Sequence, residues 1–248
     1  MNSPRVLIAL PVFNEAPFVC PVLDQVLRYN QDVLVVDDGS TDGTAELLLQ
    51  RTDVKTLTHP QNRGYGAALI SAFQHAIDHH FDIVISIDCD GQHEPQRIPQ
   101  FIQACESADI VSGSRYLQTF TGDNHPPVDR QRINELITSE LNDRLSLKLT
   151  DAFCGFKAYR VSALHKLHLT EPGYAMPLEL WVQAATAGLR IVESPVPLIY
   201  LDGSRSFGGA LDEAEVRVEY YRLVLDRSIE SVEDRVSTSS VRLCSEGT

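Results

Sequence analysis

Short apolar segments alternate with amphipathic segments of helical length along the first 113 residues of the chain. Several apolar segments are apolar throughout, as expected for parallel strands that are covered on both faces. The predicted strands lie at 5–10, 32–37, 54–58, 82–88 and 109–114. The predicted helices between them lie at 17–29, 41–51, 64–79 and 95–106. This alternation predicts an α/β fold with a mostly parallel, doubly wound sheet and helices on both faces.

The pattern changes after residue 113. A polar, turn-rich segment at 118–128 predicts a mobile loop. The later predicted elements are helices at 129–147, 177–188 and 212–227 and strands at 190–193 and 196–201. Beyond Ser228 the chain is polar and low in large apolar side chains, which predicts a disordered tail over 229–248. We therefore expect a single domain over residues 1–228.

The composition narrows the classes of function. The chain has 248 residues, of which 43% are hydrophobic, and its 21 Lys and Arg against 34 Asp and Glu give a formal net charge of −13. That balance argues against nucleic-acid binding, which needs clustered basic surface. No apolar run approaches the roughly 20 residues that span a bilayer, and Pro11 breaks the first apolar segment too early for a signal peptide. Five cysteines without a CxxC spacing fit reduced thiols, so we expect a cytoplasmic protein.

Two acids one residue apart follow the fourth predicted strand. Cys89 separates Asp88 from Asp90, so both carboxylates can face one side, and Gln92 adds an amide oxygen two residues on. Three oxygen donors at alternate positions suit a hard dication such as Mg²⁺ or Mn²⁺. The alternative is an ordinary acidic turn, which a DxD pattern alone usually is. His93 is a weaker candidate for a fourth ligand, because a lone histidine usually faces solvent.

Acids also follow the first two predicted strands. Glu15 lies where it can accept hydrogen bonds from a ribose or a base, although a helix cap with a first-turn acid explains that stretch equally well. Asp37 and Asp38 are adjacent and point to opposite sides in extended backbone, so a ligand role for at least one is favoured. Gly64 and Gly66 begin a helix and could admit a phosphate to its amides, but no complete GxGxxG or Walker A sequence is present.

Cations are frequent in the second half of this acidic chain. An arginine can clamp a phosphate through two parallel hydrogen bonds. For any single arginine a surface ion pair is the simpler explanation, whereas the group as a whole favours a phosphate site. The cations concerned are Arg115, Arg130, Arg132, Lys157, Arg160 and Arg205.

Six motifs in order resemble the family 2 glycosyltransferases of GT-A fold, and within them the dolichol-phosphate mannose synthase-like branch. They are "PVFNE", "VVDDGSTDGT", "NRGYGAA", "DCDGQHEP", "SGSRY" and "DAFCGFKAYR", and they extend over roughly the first 160 residues. The resemblance implies a GT-A domain with a nucleotide-binding half at 1–113 and an acceptor half at 114–228. It implies an inverting, metal-dependent transfer of a sugar, with GDP-mannose as the usual donor, Mg²⁺ or Mn²⁺ as cofactor and a polyprenyl phosphate as acceptor.

The resemblance also implies roles for individual residues. The expected nucleotide-sugar contacts are Pro11, Phe13, Glu15, Val36, Asp38, Asp88, Cys89, Asp90 and Arg205. The expected metal ligands are Asp88, Asp90 and Gln92. The expected acceptor-phosphate contacts are Arg115 and Arg130, with Arg132 competing for the second place. The expected catalytic residues are Asp90, Arg115 and Asp151, and Asp151 would be the general base if the acceptor is a hydroxyl.

One segment departs from the family pattern. A late arginine in the family is followed six residues on by lysine, in a segment like R-x-x-G-x-S-K, whereas this chain has Arg205 and Gly208 but Ala210 and Leu211 in the last two places. The departure leaves two alternatives open: a UDP-sugar donor with a hydroxyl acceptor, and a non-catalytic nucleotide-sugar-binding module. A nucleotidyltransferase and an NAD-dependent oxidoreductase are disfavoured because their glycine-rich loops are missing.

Two expectations concern partners. A lipid acceptor would be reached by peripheral attachment at the cytoplasmic face of a membrane or through a partner, since no predicted helix spans a bilayer. The sequence leaves the oligomeric state open, a homo-oligomer included.

Overall fold

A single mixed sheet forms the centre of the computed structural model, which describes residues 3–124, 126–201 and 207–245. Its strands are β1 (Val6–Val12), β2 (Val33–Asp37), β3 (Lys55–Thr58), β4 (Ile83–Ser86), β5 (Ile110–Ser114), β6 (Lys157–Arg160) and β7 (Ile191–Pro195). The helices are α1 (Val19–Val26), α2 (Thr44–Leu49), α3 (Tyr65–Asp78), α4 (Ile98–Ala104), α5 (Val128–Leu145), α6 (Val161–Leu164), α7 (Met176–Thr186) and α8 (Ala214–Ser245). Short 3₁₀ turns occupy Pro95–Arg97 and Gly209–Asp212.

The strand order is β3-β2-β1-β4-β6-β5-β7. All neighbouring strands are parallel except β6, which runs antiparallel between β4 and β5. The mostly parallel sheet predicted from the sequence is confirmed, and so are its first five strands. The sequence pattern did not predict β6, because four residues with a charge at each end, Lys157 to Arg160, carry no strand signal of their own.

Apolar side chains of β1 alternate between two cores. Leu7 and Ala9 pack on the face covered by α3, α5, α7 and α8, and Ile8 and Leu10 pack on the face covered by α1 and α4. Both faces are therefore buried, as a doubly wound sheet requires. Trp181 of α7 is fully buried, and its Nε1 donates to the carbonyl oxygen of Ala152 at 3.0 Å, which ties the first core to the chain before β6.

The strand predicted at 196–201 is absent. Pro195 and Pro197 have no N–H to donate, so the ladder with β5 ends after the Val196 amide has bonded to Ser114. The chain that follows pairs instead with the polar segment that was predicted to be a mobile loop. Asn124 is the centre of this pairing, because its amide donates to Leu198 at 3.0 Å and its side chain accepts from the Tyr200 amide at 2.7 Å. Asn124 is thereby held against the chain that follows β7.

Helix α8 differs from prediction. The sequence pattern predicted a helix that ends near residue 227 and a disordered tail over 229–248, but the backbone is helical from Ala214 to Ser245. No Gly or Pro interrupts this stretch, and Tyr221, Val224 and Leu225 are buried in the first core. Ile229 and Val232 continue that apolar stripe at helical spacing and pack against the same core. Among the described residues, no helix combines the length and apolar character needed to cross a bilayer.

The burial of α8 predicts a stability difference between two leucines on one helix. Leu225 is fully buried, so Leu225→Ala should lower the free energy of unfolding by about 2–5 kcal/mol through lost contacts and a cavity. Leu223 is 47% exposed, and Leu223→Ala should change it by about 0.5 kcal/mol or less. Urea denaturation followed by circular dichroism measures both values. Equal effects would show that α8 is not part of the folded core.

Candidate active site

A cavity of about 690 Å³ lies beyond the carboxyl ends of β1, β2, β4 and β5. This is the edge at which ligands of open α/β sheets bind, and the volume is that of a small-molecule site. The first half of the chain contributes Pro11, Phe13, Glu15, Asp38, Tyr65, Asp88, Cys89, Asp90, Gln92 and His93 to the wall. The second half contributes Arg115, Arg130, Asn134, Phe153, Gly155, Tyr174, Tyr200, Phe207 and Arg217, among others.

Most of the predicted site residues therefore meet in one cavity, but two of the described ones do not. Val36 is fully buried among the apolar side chains beneath α3, so its side chain does not reach the cavity. Asp151 lies behind the cavity wall and has no exposed surface. Arg205 falls outside the described residues.

The loop after β1 is held in place by hydrogen bonds to the chain that follows β2. Hydroxyl and carboxylate oxygens of that second loop accept hydrogen bonds from three successive backbone amides, those of Asn14, Glu15 and Ala16. The acceptors are Ser40, Thr44 and Asp42, at 2.9, 2.9 and 3.1 Å. The "DDGSTDGT" stretch thus holds the "NEA" loop as well as starting a helix, and it presents Glu15 to the cavity.

Asp38 is bound to the start of α3. One carboxylate oxygen accepts from the Arg63 amide at 2.9 Å and from His59 Nδ1 at 2.6 Å, and the other accepts from the Gly64 amide at 2.7 Å. The bond from Gly64 engages an amide at the helix start where a phosphate was predicted. Asp38 is 2% exposed and satisfied within the protein, although it remains part of the cavity wall.

The glycines at the start of α3 serve close packing. A methyl group on Gly64 would overlap the carbonyl oxygen of Pro172, and one on Gly66 would overlap that of Glu171. The Ala67 amide donates to the Pro172 carbonyl at 3.0 Å across the same contact. We conclude that the "RGYGAA" sequence allows α3 to touch the chain at 171–173, and that the Ala67 amide is engaged there.

The carboxylate of Asp88 rests directly on Gly155. A Cβ at position 155 would overlap both carboxylate oxygens, so only glycine leaves room for this arrangement. Tyr65 donates its hydroxyl to Asp88 Oδ1 at 3.0 Å, and His93 Nε2 lies 3.1 Å from Oδ2. Burial raises the pKa of Asp88, but the hydrogen bonds from His93 and Tyr65 and the charge of Lys157 outweigh it, and the pKa is lowered overall.

Asp90 and Gln92 form a compact pair. The Gln92 amide donates to Asp90 Oδ1 at 2.9 Å, and the Gln92 side-chain nitrogen donates to Oδ2 at 2.9 Å. Within the described residues, no group of three or more His, Cys, Asp or Glu is arranged as a complete metal site. The wall does offer two carboxylates of the type that a hard dication prefers, Asp88 and Asp90, so a cation bound here would need further ligands from a substrate or water.

Arg115 and Asp151 form a bidentate ion pair. Arg115 Nε donates to Asp151 Oδ2 at 2.7 Å, and Nη2 donates to Oδ1 at 2.9 Å. Asn134 and the Phe153 amide also donate to Oδ1, at 2.8 and 3.1 Å. Burial alone raises the pKa of Asp151, but the Arg115 charge and these hydrogen bonds hold it well below its usual range. A buried carboxylate with both oxygens engaged is poorly placed to act as the general base that the sequence analysis expected for a hydroxyl acceptor.

The other predicted cations separate into two groups. Arg130 reaches the cavity, whereas Arg132 is exposed and does not line it. Lys157 is 2% exposed and donates Nζ to the Cys154 carbonyl, and its nitrogen lies 5.5 Å from the centre of the Trp181 ring. Arg160 is also held in the fold, by the Cys105 carbonyl at 2.6 Å. Of the six predicted cations, the cavity therefore receives Arg115 and Arg130 among those described.

Sequence reasoning missed several residues of the wall. Tyr65 lies within a quoted motif, but nothing about its spacing indicates the bond to Asp88. Arg217 belongs to α8, where its neighbours Glu215, Glu219 and Arg222 suggest an ordinary solvated face. It is nevertheless 4% exposed and lines the cavity. No local signal in the sequence identifies it.

Comparison with known proteins agrees with this geometry. Residues 7–168 match the family described as "Glycosyl transferase family 2". The chain is 32% identical over 230 residues to "Undecaprenyl-phosphate mannosyltransferase" of Micrococcus luteus, with 88% of this chain and 94% of that protein covered. It is 29% identical over 227 residues to "Polyprenol monophosphomannose synthase" of Mycolicibacterium smegmatis, with 86% and 85% covered.

A solved structure shows the same fold. Glucosyl-3-phosphoglycerate synthase from Mycobacterium tuberculosis, crystallised with Mn²⁺, uridine diphosphate and glucosyl-3-phosphoglycerate, matches with a TM-score of 0.69 at 19% identity. The match covers 92% of this chain and 80% of that one. The predicted GT-A architecture and the resemblance to the dolichol-phosphate mannose synthase-like branch are both confirmed. With a family match over more than half of its length, this chain belongs to glycosyl transferase family 2 and is a glycosyltransferase of GT-A fold.

Proposed function

We propose that this enzyme transfers a hexose, with mannose from GDP-mannose as the first candidate, to the phosphate of a polyprenyl phosphate. The observation that carries the proposal is that one cavity is lined by two carboxylates, Asp88 and Asp90 (the acidic wall), and by two guanidiniums, Arg115 and Arg130 (the cationic wall). The mannosyltransferase names of the two similar proteins support the choice of sugar and acceptor. A lipid acceptor would be met at a membrane surface.

The acidic wall suits the donor. Asp88 and Asp90, with the side-chain amide oxygen of Gln92, would hold Mg²⁺ or Mn²⁺, which when bound neutralises charge on the diphosphate that leaves. Glu15 and Phe13 stand beside them on the loop after β1, where Phe13 is 42% exposed and can cover a base or sugar. Tyr65, His93 and Gly155 keep the Asp88 carboxylate in one position before the donor arrives.

The cationic wall suits a phosphate acceptor. A phosphomonoester loses its second proton near pH 6, so its oxygen can attack the anomeric carbon with little help from a base. The phosphate oxygen bonds to that carbon on one face, and the nucleoside diphosphate leaves from the other with the bonding electron pair, which inverts the configuration. Arg115 is aligned for the acceptor by Asp151, whose role in this proposal is to position the guanidinium and not to accept a proton.

The first prediction from this proposal concerns Asp151→Asn. Loss of the carboxylate leaves Arg115 without its charge partner and should lower the free energy of unfolding at pH 7 by about 3 kcal/mol. This value is the lower end of the range for breaking a buried ion pair, and we choose it because 26% of the Arg115 side chain is exposed. The pKa of Asp151 is lower in the folded chain than in the unfolded chain, so its stabilisation is complete above about pH 4 and is lost as the pH falls towards the folded value.

The difference in the free energy of unfolding between wild type and Asp151→Asn should therefore be constant from pH 8 to 5 and shrink below about pH 4. Urea denaturation at each pH measures it, and exposed Asp143 on α5 provides the control variant Asp143→Asn. A difference that grows as the pH falls would contradict the assignment.

The second prediction concerns Gly155→Ala. The added methyl group displaces the Asp88 carboxylate, so affinity for GDP in the presence of Mn²⁺ should fall about 10-fold or more, the range of a lost charge-assisted contact. Asp88→Asn should lose a similar amount, and isothermal titration calorimetry compares the two. Unchanged affinity in Gly155→Ala, with the loss present in Asp88→Asn, would show that the carboxylate position is not what matters.

The third prediction tests the reaction itself. Purified enzyme with Mg²⁺ or Mn²⁺ should transfer radiolabelled mannose from GDP-mannose to undecaprenyl phosphate in detergent, and Asp90→Asn should reduce the rate by about 100-fold or more. UDP-glucose and UDP-N-acetylglucosamine with the same acceptor, and GDP-mannose with a soluble sugar acceptor, are parallel arms. Transfer only in an arm without a phosphate acceptor would overturn the proposed function.

A further inference from the structure

A buried arginine of α8 faces the cavity without a carboxylate partner among the described residues. Arg217 is 4% exposed, and its two contacts are neutral: Nη1 donates to the Leu211 carbonyl at 2.8 Å, and the guanidinium carbon lies 4.5 Å from the centre of the Phe207 ring. A cation removed from water without a counter-charge is costly. An anion that enters the cavity would offset that cost.

A second guanidinium contacts the same ring. Arg130 lies 4.7 Å from the centre of Phe207 and 5.5 Å from that of Tyr200. Phe207 is thus shared by an arginine of α5 and an arginine of α8, and both line the cavity. The aromatic face of Phe207 fixes the planes of both guanidiniums, and a guanidinium is the cation best suited to recognise phosphate oxygens.

A hydroxyl beside these arginines lacks a hydrogen bond. Tyr200 Oη is buried and has no partner within the described residues, although Tyr200 lines the cavity. Buried hydroxyls in folded proteins are almost always paired, and an unpaired one marks a place where a ligand or water completes the set. Phosphate oxygens accept hydrogen bonds from guanidinium and hydroxyl groups, and this part of the cavity contains two guanidiniums and one hydroxyl.

We infer that Arg217 and the Tyr200 hydroxyl, together with Arg130, bind the phosphate of the acceptor. The inference rests on the proposed function for the identity of the reaction. The ligand class is a phosphomonoester, carried either by a lipid or by a small soluble molecule. The acceptor is favoured over the donor because these residues come from α5, α8 and the chain after β7, whereas the acidic donor wall comes from the ends of β1 and β4. The family pattern has a lysine where this chain has Leu211, and the cation that we assign to the phosphate is Arg217 of α8.

Binding measured without any donor tests the inference. Isothermal titration with farnesyl phosphate and with glycerol 3-phosphate reports on lipid and soluble phosphates, and titration with GDP and Mg²⁺ reports on the donor side. Arg217→Gln should weaken the phosphate probe about 10- to 100-fold and leave GDP affinity unchanged. The matched control is Arg227→Gln, an exposed arginine of the same helix, which should bind all probes like wild type.

Tyr200→Phe keeps the test decisive if Arg217→Gln does not fold. It removes only a hydroxyl that has no partner in the described chain, so the melting temperature should be unchanged while the phosphate probe binds about 3- to 10-fold more weakly. Wild-type affinity in both variants, or equal loss for GDP and phosphate, would overturn the inference, as would wild-type protein that binds neither phosphate probe. Binding of farnesyl phosphate alone would identify a lipid acceptor, and binding of both would show that the phosphate itself is recognised.

The transfer assay separates this inference from the proposed function. If transfer to undecaprenyl phosphate occurs, Arg217→Gln should raise the acceptor KM and leave the donor KM unchanged, and an unaltered acceptor KM would overturn the inference alone. If wild type binds farnesyl phosphate but transfers no sugar to any phosphate acceptor, the proposed function fails and the binding site stands.

Discussion

The insertion of antiparallel β6 between β4 and β5 is the constraint on which the site depends. It brings the chain at 151–157 to the same edge as the ends of the parallel strands. Gly155 then lies beneath the Asp88 carboxylate, and Asp151 lies behind Arg115. One short strand therefore fixes a group on each wall of the cavity, and the absence of a side chain at position 155 is as necessary as the presence of the carboxylate at position 88.

Most buried charged groups around the cavity are held by amide or oppositely charged partners within the protein. Asp38 and Asp151 are almost fully buried, and backbone amides, His59 and Arg115 satisfy them. Arg217 and Lys157 differ, since the described partners of each are a carbonyl and a ring, and of these two only Arg217 lines the cavity. This contrast separates residues that hold the fold together from residues that are available for a substrate.

The sequence predicted the sheet and the acidic wall well because both depend on local pattern. Buried parallel strands are apolar throughout, and Asp88 and Asp90 follow one of them directly. The site residues in the second half of the chain were harder to predict. The Arg115–Asp151 pair joins residues 36 positions apart, so their types alone could not tell a base from a positioning group. Arg217 is brought to the cavity by the packing of α8, which its local sequence does not indicate. The helix continues beyond residue 228 with only a few apolar side chains at helical spacing, so the polar composition of this stretch predicted disorder instead.

The place of β6 also has a consequence for folding. Its pairing with β4 joins Ile83 to Arg160, so a gap between β4 and β5 stays open until most of the domain has been synthesised. Until then both flanking strands carry unpaired edges of apolar sequence, a template for association with other chains. Contacts this distant in sequence form slowly. We therefore expect refolding from denaturant to be slow and sensitive to protein concentration, with the yield of folded protein set by the rate at which β6 pairs with β4 and β5.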